Sequence, residues 1–154
     1  MAQSLTRGQY DEIIAIGGLS AKKTMTFNGA VTNDPGDFDG TGDPSTLFTV
    51  SGGLVAVKLY ARVVTALAGA TATIEVGTTV STASLIAQTT ATNLAVNEVW
   101  TDASPDLAAE ADSTLKVVSQ SIIQTVGTAN ITSGVIEYTA IWKPLTEGAT
   151  LVAA

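Results

Sequence analysis

The side chains that most enzymes use for catalysis are scarce in this sequence. Its 154 residues include no cysteine and no histidine, which excludes disulfides, thiol nucleophiles, thiolate or imidazole metal ligands and histidine acid–base relays. A serine triad needs a histidine, and the chain also lacks a Gly-x-Ser-x-Gly turn and a glycine-rich phosphate loop. We therefore predict a protein that is not an enzyme and needs no cofactor.

Carboxylates are the remaining groups with chemical potential, and four aspartates lie in the loop at residues 33–44. The loop contains Asp-x-Asp-Gly. Aligning Gly40 with the EF-hand glycine, however, puts Pro35 at the first ligand position and Thr46 where a bidentate glutamate is needed. Clustered carboxylates can hold Ca²⁺, but Asx turns explain the same residues, and we predict no metal. Glycoside cleavage needs two facing carboxyls, and loop spacing does not indicate such a pair among Glu98, Asp102, Asp106 and Glu110.

Composition and alternation favour an all-β fold. About one residue in six is threonine, whose branched Cβ suits a strand. Apolar residues alternate with polar ones from Leu54 to Leu67 and again from Ile136 to Trp142, where Pro144 ends the strand. Apolar residues occupy odd positions before Gly69 and even positions in the run Ala72–Val76. We therefore predict a hairpin between this run and the strand before it.

Shorter strands and one helical turn complete the prediction. Ser104–Glu110 is predicted to form the turn, since a serine N-cap precedes a proline. About ten short strands predict an antiparallel β-sandwich, jelly-roll-like, over residues 22–154, with an extended N-terminal arm over residues 1–21. The weaker strand candidates are Tyr10–Ile16, Lys22–Phe27, Leu47–Val50, Ser84–Thr89, Glu98–Thr101, Thr114–Ser119 and Ile122–Val126.

Two sets of residues are candidates for partner contact. On the polar face of the Leu54–Leu67 strand, Tyr60 lies between two cations, and a solvated sheet face is the alternative. In the arm, an apolar segment precedes Gly17-Gly18; it either adds a strand to this domain or docks on a neighbouring chain. Our hypothesis is that Tyr10–Ile16 reaches an adjacent subunit. The candidate contact residues are Tyr10, Ile13, Ile14, Ile16, Lys58, Tyr60 and Arg62.

Charge and hydropathy limit the classes of partner. The formal net charge is −7 and no block of lysine or arginine is present, which disfavours nucleic acid because phosphate binding depends on clustered cations. The longest apolar tract, Leu54–Ala72, contains Lys58 and Arg62, so we predict no membrane span. The first residues lack a basic region followed by an apolar stretch, so we expect synthesis in the host cytoplasm without a secretion signal.

A series of short blocks in matching order resembles a family of small structural proteins of tailed bacteriophages. The resemblance covers about Phe27 to Leu145. The blocks are Phe27–Ala30, Asp37–Pro44, Leu47–Val50, Ala72–Gly77, Leu85–Thr92, Asn97–Trp100, Asp102–Asp106, Val126–Thr132 and Trp142–Leu145.

Proteins of this kind look like capsid decoration, or cement, proteins. The resemblance implies a homotrimer in the virion, on the outer capsid surface, that clamps neighbouring subunits of the major capsid protein. It implies no catalytic residue. The alternative is a carbohydrate- or receptor-binding β-domain of a phage head fibre or tail, in which an exposed aromatic such as Trp100 contacts the ligand. Trp142 and Tyr138 are predicted to pack in the core.

Overall fold

A computed structural model describes residues 19–38, 43–107 and 113–154 of the chain. Its strands form two antiparallel sheets, which we call sheet A and sheet B. Sheet A has the order β1-β10-β3-β6-β7, with β8 also paired to β3. Its strands are β1 (Leu19–Asn28), β3 (Val55–Ala68), β6 (Glu98–Trp100), β7 (Asp106–Leu107), β8 (Lys116–Val118) and β10 (Ser133–Pro144).

Sheet B has the order β11-β2-β9-β4-β5. Its strands are β2 (Ser45–Ser51), β4 (Thr73–Gly77), β5 (Ile86–Thr90), β9 (Ile122–Gly127) and β11 (Thr150–Ala153). The first four strands alternate between the sheets, and so do β9, β10 and β11. This order, β1-β10-β3-β6 facing β2-β9-β4-β5, is that of a jelly roll, and the all-β sandwich predicted from the sequence is confirmed.

The two sheets bury one face each against the other. Along β3 the odd-numbered residues from Val55 to Val63 are buried, whereas Lys58, Tyr60 and Arg62 are not. Along β10 the even-numbered residues Ile136 to Ala140 are buried in the same way. Each strand contributes every second side chain to the core because successive side chains point to opposite faces of a sheet.

A buried hydrogen bond joins the sheets inside this core. The Tyr138 hydroxyl on β10 donates to Gln124 Oε1 on β9 over 2.8 Å, and the Gln124 amide Nε2 donates to the Pro35 carbonyl oxygen at 3.3 Å. Burial raises the pKa of Tyr138 well above its usual range, so the phenol keeps its proton and remains the donor. This polar contact fixes the lateral position of one sheet on the other.

The hairpin predicted from Leu54–Leu67 and Ala72–Val76 is wrong. Strand β3 belongs to sheet A and β4 to sheet B, so the connection around Gly69 crosses from one sheet to the other. Gly69 has a φ of +147°, and a Cβ there would lie 2.7 Å from the Asn130 carbonyl oxygen. The parity reversal after Gly69 marks a change of sheet, since both strands still turn their apolar side chains toward one core.

Other local predictions have mixed outcomes. The strand candidates from Lys22 onward coincide with strands of the two sheets, with shifted ends, while Tyr10–Ile16 lies outside the described residues. The helical turn predicted at Ser104–Glu110 is wrong where the structure describes it, because Asp106–Leu107 forms β7 and pairs with β6. Strand β1 begins at Leu19, three residues before the predicted boundary of the β-domain. In the described part of the chain, no helix is long and apolar enough to cross a membrane.

Candidate interaction site

Cations are confined to one of the two sheets. All six lysine and arginine residues in the described ranges lie on strands of sheet A, and none lies on a strand of sheet B. Glu75 is the one ionisable side chain on the five strands of sheet B. The cations are Lys22, Lys23, Lys58, Arg62, Lys116 and Lys143.

Three adjacent strands of sheet A carry four of these cations at outward-facing positions: Lys22, Lys58, Arg62 and Lys143. Arg62 on β3 lies opposite Glu137 on β10, and Tyr60 lies opposite Thr139. Thr139 is also the register partner of Lys22 on β1. Neighbouring strands lie about 4.8 Å apart, so these side chains form one continuous surface. We call it the basic face and define it as Lys22, Lys58, Tyr60, Arg62 and Glu137.

One carboxylate organises the centre of the basic face. Glu137 Oε1 lies 3.5 Å from Lys22 Nζ and 3.6 Å from Arg62 Nε. The Lys22 and Arg62 side chains are 63% and 54% exposed, so water screens both ion pairs and their contribution to stability is small. The three cations exceed the one carboxylate, and the basic face therefore has a net positive charge on a chain whose net charge is −7.

The sequence predicted part of this surface. Lys58, Tyr60 and Arg62 lie together on the outer side of β3. Lys22 and Glu137 were missed as members, although each has the outward parity of its own predicted strand. The missing information was the pairing of β1 with β10, which joins residues more than a hundred positions apart.

The outer surface of sheet B has a different chemistry. Its exposed side chains on β2 and β11 are mainly hydroxyls, and the Ser51 Oγ and Thr150 Oγ1 atoms are 2.9 Å apart in a hydrogen bond. On β4, Glu75 Oε2 accepts a bond from Gln88 Nε2 at 3.3 Å. This surface offers hydrogen-bonding groups with almost no charge. The two outer surfaces of the sandwich would therefore select different partners.

The acidic loop uses its carboxylates to hold its own backbone. Asp34 Oδ2 accepts a hydrogen bond from the Gly36 amide at 2.9 Å, and Asp37 Oδ2 accepts one from the Asp34 amide at 3.1 Å. Asp43 Oδ1 accepts the Val126 amide at 2.8 Å. The Asp34–Gly36 bond has the geometry of the predicted Asx turn, whereas the Asp43 bond ties the loop to β9. Within the described ranges, no three acidic side chains converge as a metal site would require.

The carboxylates considered for glycoside cleavage have local roles where they are described. Glu98 Oε2 accepts the Ala95 amide at 2.8 Å, and Asp102 Oδ1 accepts the Ser104 amide at 2.7 Å. Asp106 pairs through its backbone in β7, and Glu110 lies outside the described residues. The first two carboxylates act as turn acceptors, which accounts for their position in loops.

Trp100, the exposed aromatic suggested for the alternative carbohydrate-binding function, lies in the core. Trp100 is completely buried, in register with Ala61 of β3 on the inner side of sheet A. Tyr138 is also completely buried, and Trp142 is half-buried against the core. The prediction that Tyr138 and Trp142 pack in the core is confirmed, whereas the alternative role of Trp100 as an exposed aromatic is wrong.

The remaining candidate contact residues belong to the arm. Tyr10, Ile13, Ile14 and Ile16 lie outside the described residues, so their contacts stay a prediction.

Comparison with known proteins identifies no relative of this chain. No family model matches the chain, no curated protein matches it, and no solved structure matches its fold. Two features therefore bear on function: the basic face of sheet A and the resemblance of the sequence blocks between Phe27 and Leu145.

Proposed function

We propose that the protein is a capsid decoration protein of a tailed bacteriophage. It binds the outside of the assembled capsid through the basic face and stabilises contacts between major capsid subunits. The observation that carries this proposal is the separation of charge between the two sheets, because all described cations lie on sheet A. The block resemblance from Phe27 to Leu145 supplies the class of particle.

Charge separation gives an acidic protein a defined binding orientation. The proposal requires an acidic outer surface on the shell. Such a surface would repel a chain with net charge −7 at long range and would attract its basic face once the molecule turns correctly. Complementary charge mainly sets orientation and association rate, and it suppresses wrong contacts. The hydroxyl-rich surface of sheet B then faces the solvent, where uncharged polar groups keep the particle soluble.

Stabilisation of the shell follows from selective binding. A ligand that binds the assembled lattice and not its separated subunits shifts the equilibrium toward the lattice by mass action. The contact requires no chemistry, which agrees with the turn-forming roles of the described carboxylates. Three copies related by a closed symmetry present three basic faces to a three-fold position of the shell.

The test is co-sedimentation with capsids of the phage whose genome encodes this chain. We expect the protein to sediment with assembled capsids and not with unassembled major capsid protein, and binding to weaken as salt is raised. Light scattering coupled to size exclusion measures the solution mass and is expected to give a trimer. Failure to bind intact capsids at low salt would refute the proposal.

The alternative is a carbohydrate- or receptor-binding domain. The aromatic suggested for its ligand contact, Trp100, is buried and cannot reach a ligand on the surface. Tyr60 remains as a partly exposed aromatic on the basic face. This alternative would be supported if the protein bound host polysaccharide and not capsids, and if that binding changed the fluorescence of Tyr60.

A further inference from the structure

Strand β1 leaves one long edge of sheet A open. It has ten residues and, among the described residues, pairs with β10 alone, whereas β10 and β3 each have strands on both sides. An antiparallel edge of this length presents a row of N–H and C=O groups to any strand that approaches it. The edge is a site for strand addition.

The open edge also has a chemical preference. Leu19 has the inward parity of its strand yet is 50% exposed, at an edge where no strand of the described residues lies beside β1. Ala21, two residues on, packs only partly against the core. Lys22 and Lys23 follow directly on opposite faces of the strand; Lys22 pairs with Glu137 of β10, and Lys23 Nζ donates to the Ala154 carbonyl oxygen. The edge therefore suits a strand with apolar residues at one end and acidic residues at the other.

One segment with this composition directly precedes β1 in the chain. Tyr10–Ile16 contains Asp11 and Glu12 followed by Ile13, Ile14 and Ile16. Gly17-Gly18 separates it from Leu19, and a Gly-Gly pair between two strand-like runs is a signal for a two-residue hairpin turn, whose positive φ angles glycine adopts without strain.

We propose that the open edge of β1 is the docking site of Tyr10–Ile16 from the same chain, paired antiparallel through a turn at Gly17-Gly18. A two-residue turn fixes the register: Ile16 lies opposite Leu19, Ile14 opposite Ala21, and Glu12 opposite Lys23. Both isoleucines then extend the core at its open side. A slip of one residue would turn both toward solvent and lose this burial.

This proposal replaces the hypothesis from the sequence that Tyr10–Ile16 reaches an adjacent subunit, because the short linkage favours the segment's own chain. A two-residue connection holds the segment at a high effective concentration beside its own β1, and another copy has to compete with that concentration. The paired lysines discourage neutral or basic strands of other proteins, which is a common protection of sheet edges. The edge shares Lys22 with the basic face, but the inference does not rest on the proposed function, because it concerns strand pairing at β1 and not capsid binding.

Cysteine cross-linking tests the register in the complete chain, which has no native cysteine. In the proposed pairing, Asp11 lies opposite Thr24 at a non-hydrogen-bonded position, where Cβ atoms approach closely. We expect the Asp11→Cys/Thr24→Cys variant to lose both free thiols under mild oxidation and to run as a single chain on a non-reducing gel. The matched control is Asp11→Cys/Thr49→Cys, because Thr49 lies on sheet B; it should keep its thiols.

Two results would overturn the proposal. Disulfide-linked dimers or larger species from the first variant would show that the segment docks on another copy. Free thiols in the first variant, or equal oxidation of both variants, would show that the segment does not dock at this edge. Capsid binding plays no part in this experiment, so its outcome is separate from that of the proposed function.

Hydrogen exchange of the β1 amides provides a second measurement without cysteines. We expect Ile14→Asp/Ile16→Asp to accelerate exchange of alternate β1 amides at least tenfold, because those amides face the docked segment. The matched control is Ala15→Asp, whose side chain points to solvent in the proposed register and whose exchange should match that of the unmodified chain. Equal exchange in the double variant and the unmodified chain would also overturn the proposal.

Discussion

Sheets A and B share one core but present opposite surfaces to the outside. On the outer surface of sheet A, Lys22 and Arg62 flank the Glu137 carboxylate, and Lys58 lies farther along β3. That of sheet B has Glu75 as its one ionisable strand residue. Strands of both sheets bury every second side chain, so the inner faces have similar constraints and only the outer faces are free to differ. The difference between the outer faces is therefore a guide to function.

The largest effect is expected on capsid binding when negative charge is added to one outer face or to the other. Lys58→Glu changes the net charge by −2 on the basic face, and Thr46→Glu/Thr49→Glu makes the same change on exposed positions of β2. We expect the sheet A variant to weaken capsid binding by about tenfold to a hundredfold, since like charges meet across the contact. The sheet B variant should bind as the unmodified protein does. Co-sedimentation titrations measure both, and equal losses would remove the distinction between the faces.

A second prediction compares two tyrosines of sheet A, one on each of its faces. Tyr138→Phe leaves Gln124 Oε1 without its 2.8 Å donor, so we expect the free energy of unfolding to fall by about 1–3 kcal/mol. Tyr60→Phe removes a hydroxyl from the outer face and should change the free energy by less than about 0.5 kcal/mol. Urea denaturation gives both values. An equal effect of the two changes would mean that the bond between the sheets does not stabilise the core.

A third prediction concerns Asp43, a partly buried carboxylate just before β2. Burial raises the pKa of Asp43 above its ordinary value of 3.8, the nearby Glu75 charge adds to the rise, and the hydrogen bond from the Val126 amide opposes it. The folded state therefore binds the Asp43 proton more tightly than the unfolded state. The contribution of Asp43 to stability then falls as the pH rises from 3.8 through the raised pKa.

Asp43→Asn removes this pH dependence while keeping an oxygen to accept the Val126 amide. We expect the variant to be more stable than the unmodified protein at neutral pH, by less than about 1 kcal/mol because Asp43 is partly exposed and water screens its charge. The difference should shrink as the pH falls below the raised pKa. Urea denaturation at several pH values checks the trend, and a variant that is less stable at neutral pH would contradict it.

The smallest effect on stability is expected at the centre of the basic face. Glu137→Gln breaks two screened ion pairs, so the free energy of unfolding should change by less than about 1 kcal/mol. The same change makes the basic face more positive and should tighten capsid binding. Weaker binding would show that Glu137 contacts the partner itself.

Long strands with one buried face were predictable from the sequence. β3 alternates from Val57 to Val63 and β10 from Gly134 to Ala140, because each has a core side and a solvent side over these residues. β11 was missed, since its four residues bury only Leu151 and offer no periodicity. The connection between β3 and β4 was misread as a hairpin, because an alternating pattern reports which face is buried and not which sheet a strand joins.

The candidate site was predictable only one strand at a time. Lys58, Tyr60 and Arg62 share a face by parity alone, and this could be read directly. Glu137 joins them through the β10–β3 register, and Lys22 through the β1–β10 register. Trp100 was considered for exposure because β6 has three residues, too few for alternation to indicate which face is buried.

Electron cryo-microscopy of capsids incubated with the protein would show directly which sheet contacts the shell. We predict density on the outer capsid surface in which the basic face, including Lys58 and Arg62, lies against major capsid subunits while β2 and β11 of sheet B face the solvent. Density with sheet B against the shell, or capsids without added density at saturating protein, would contradict the account.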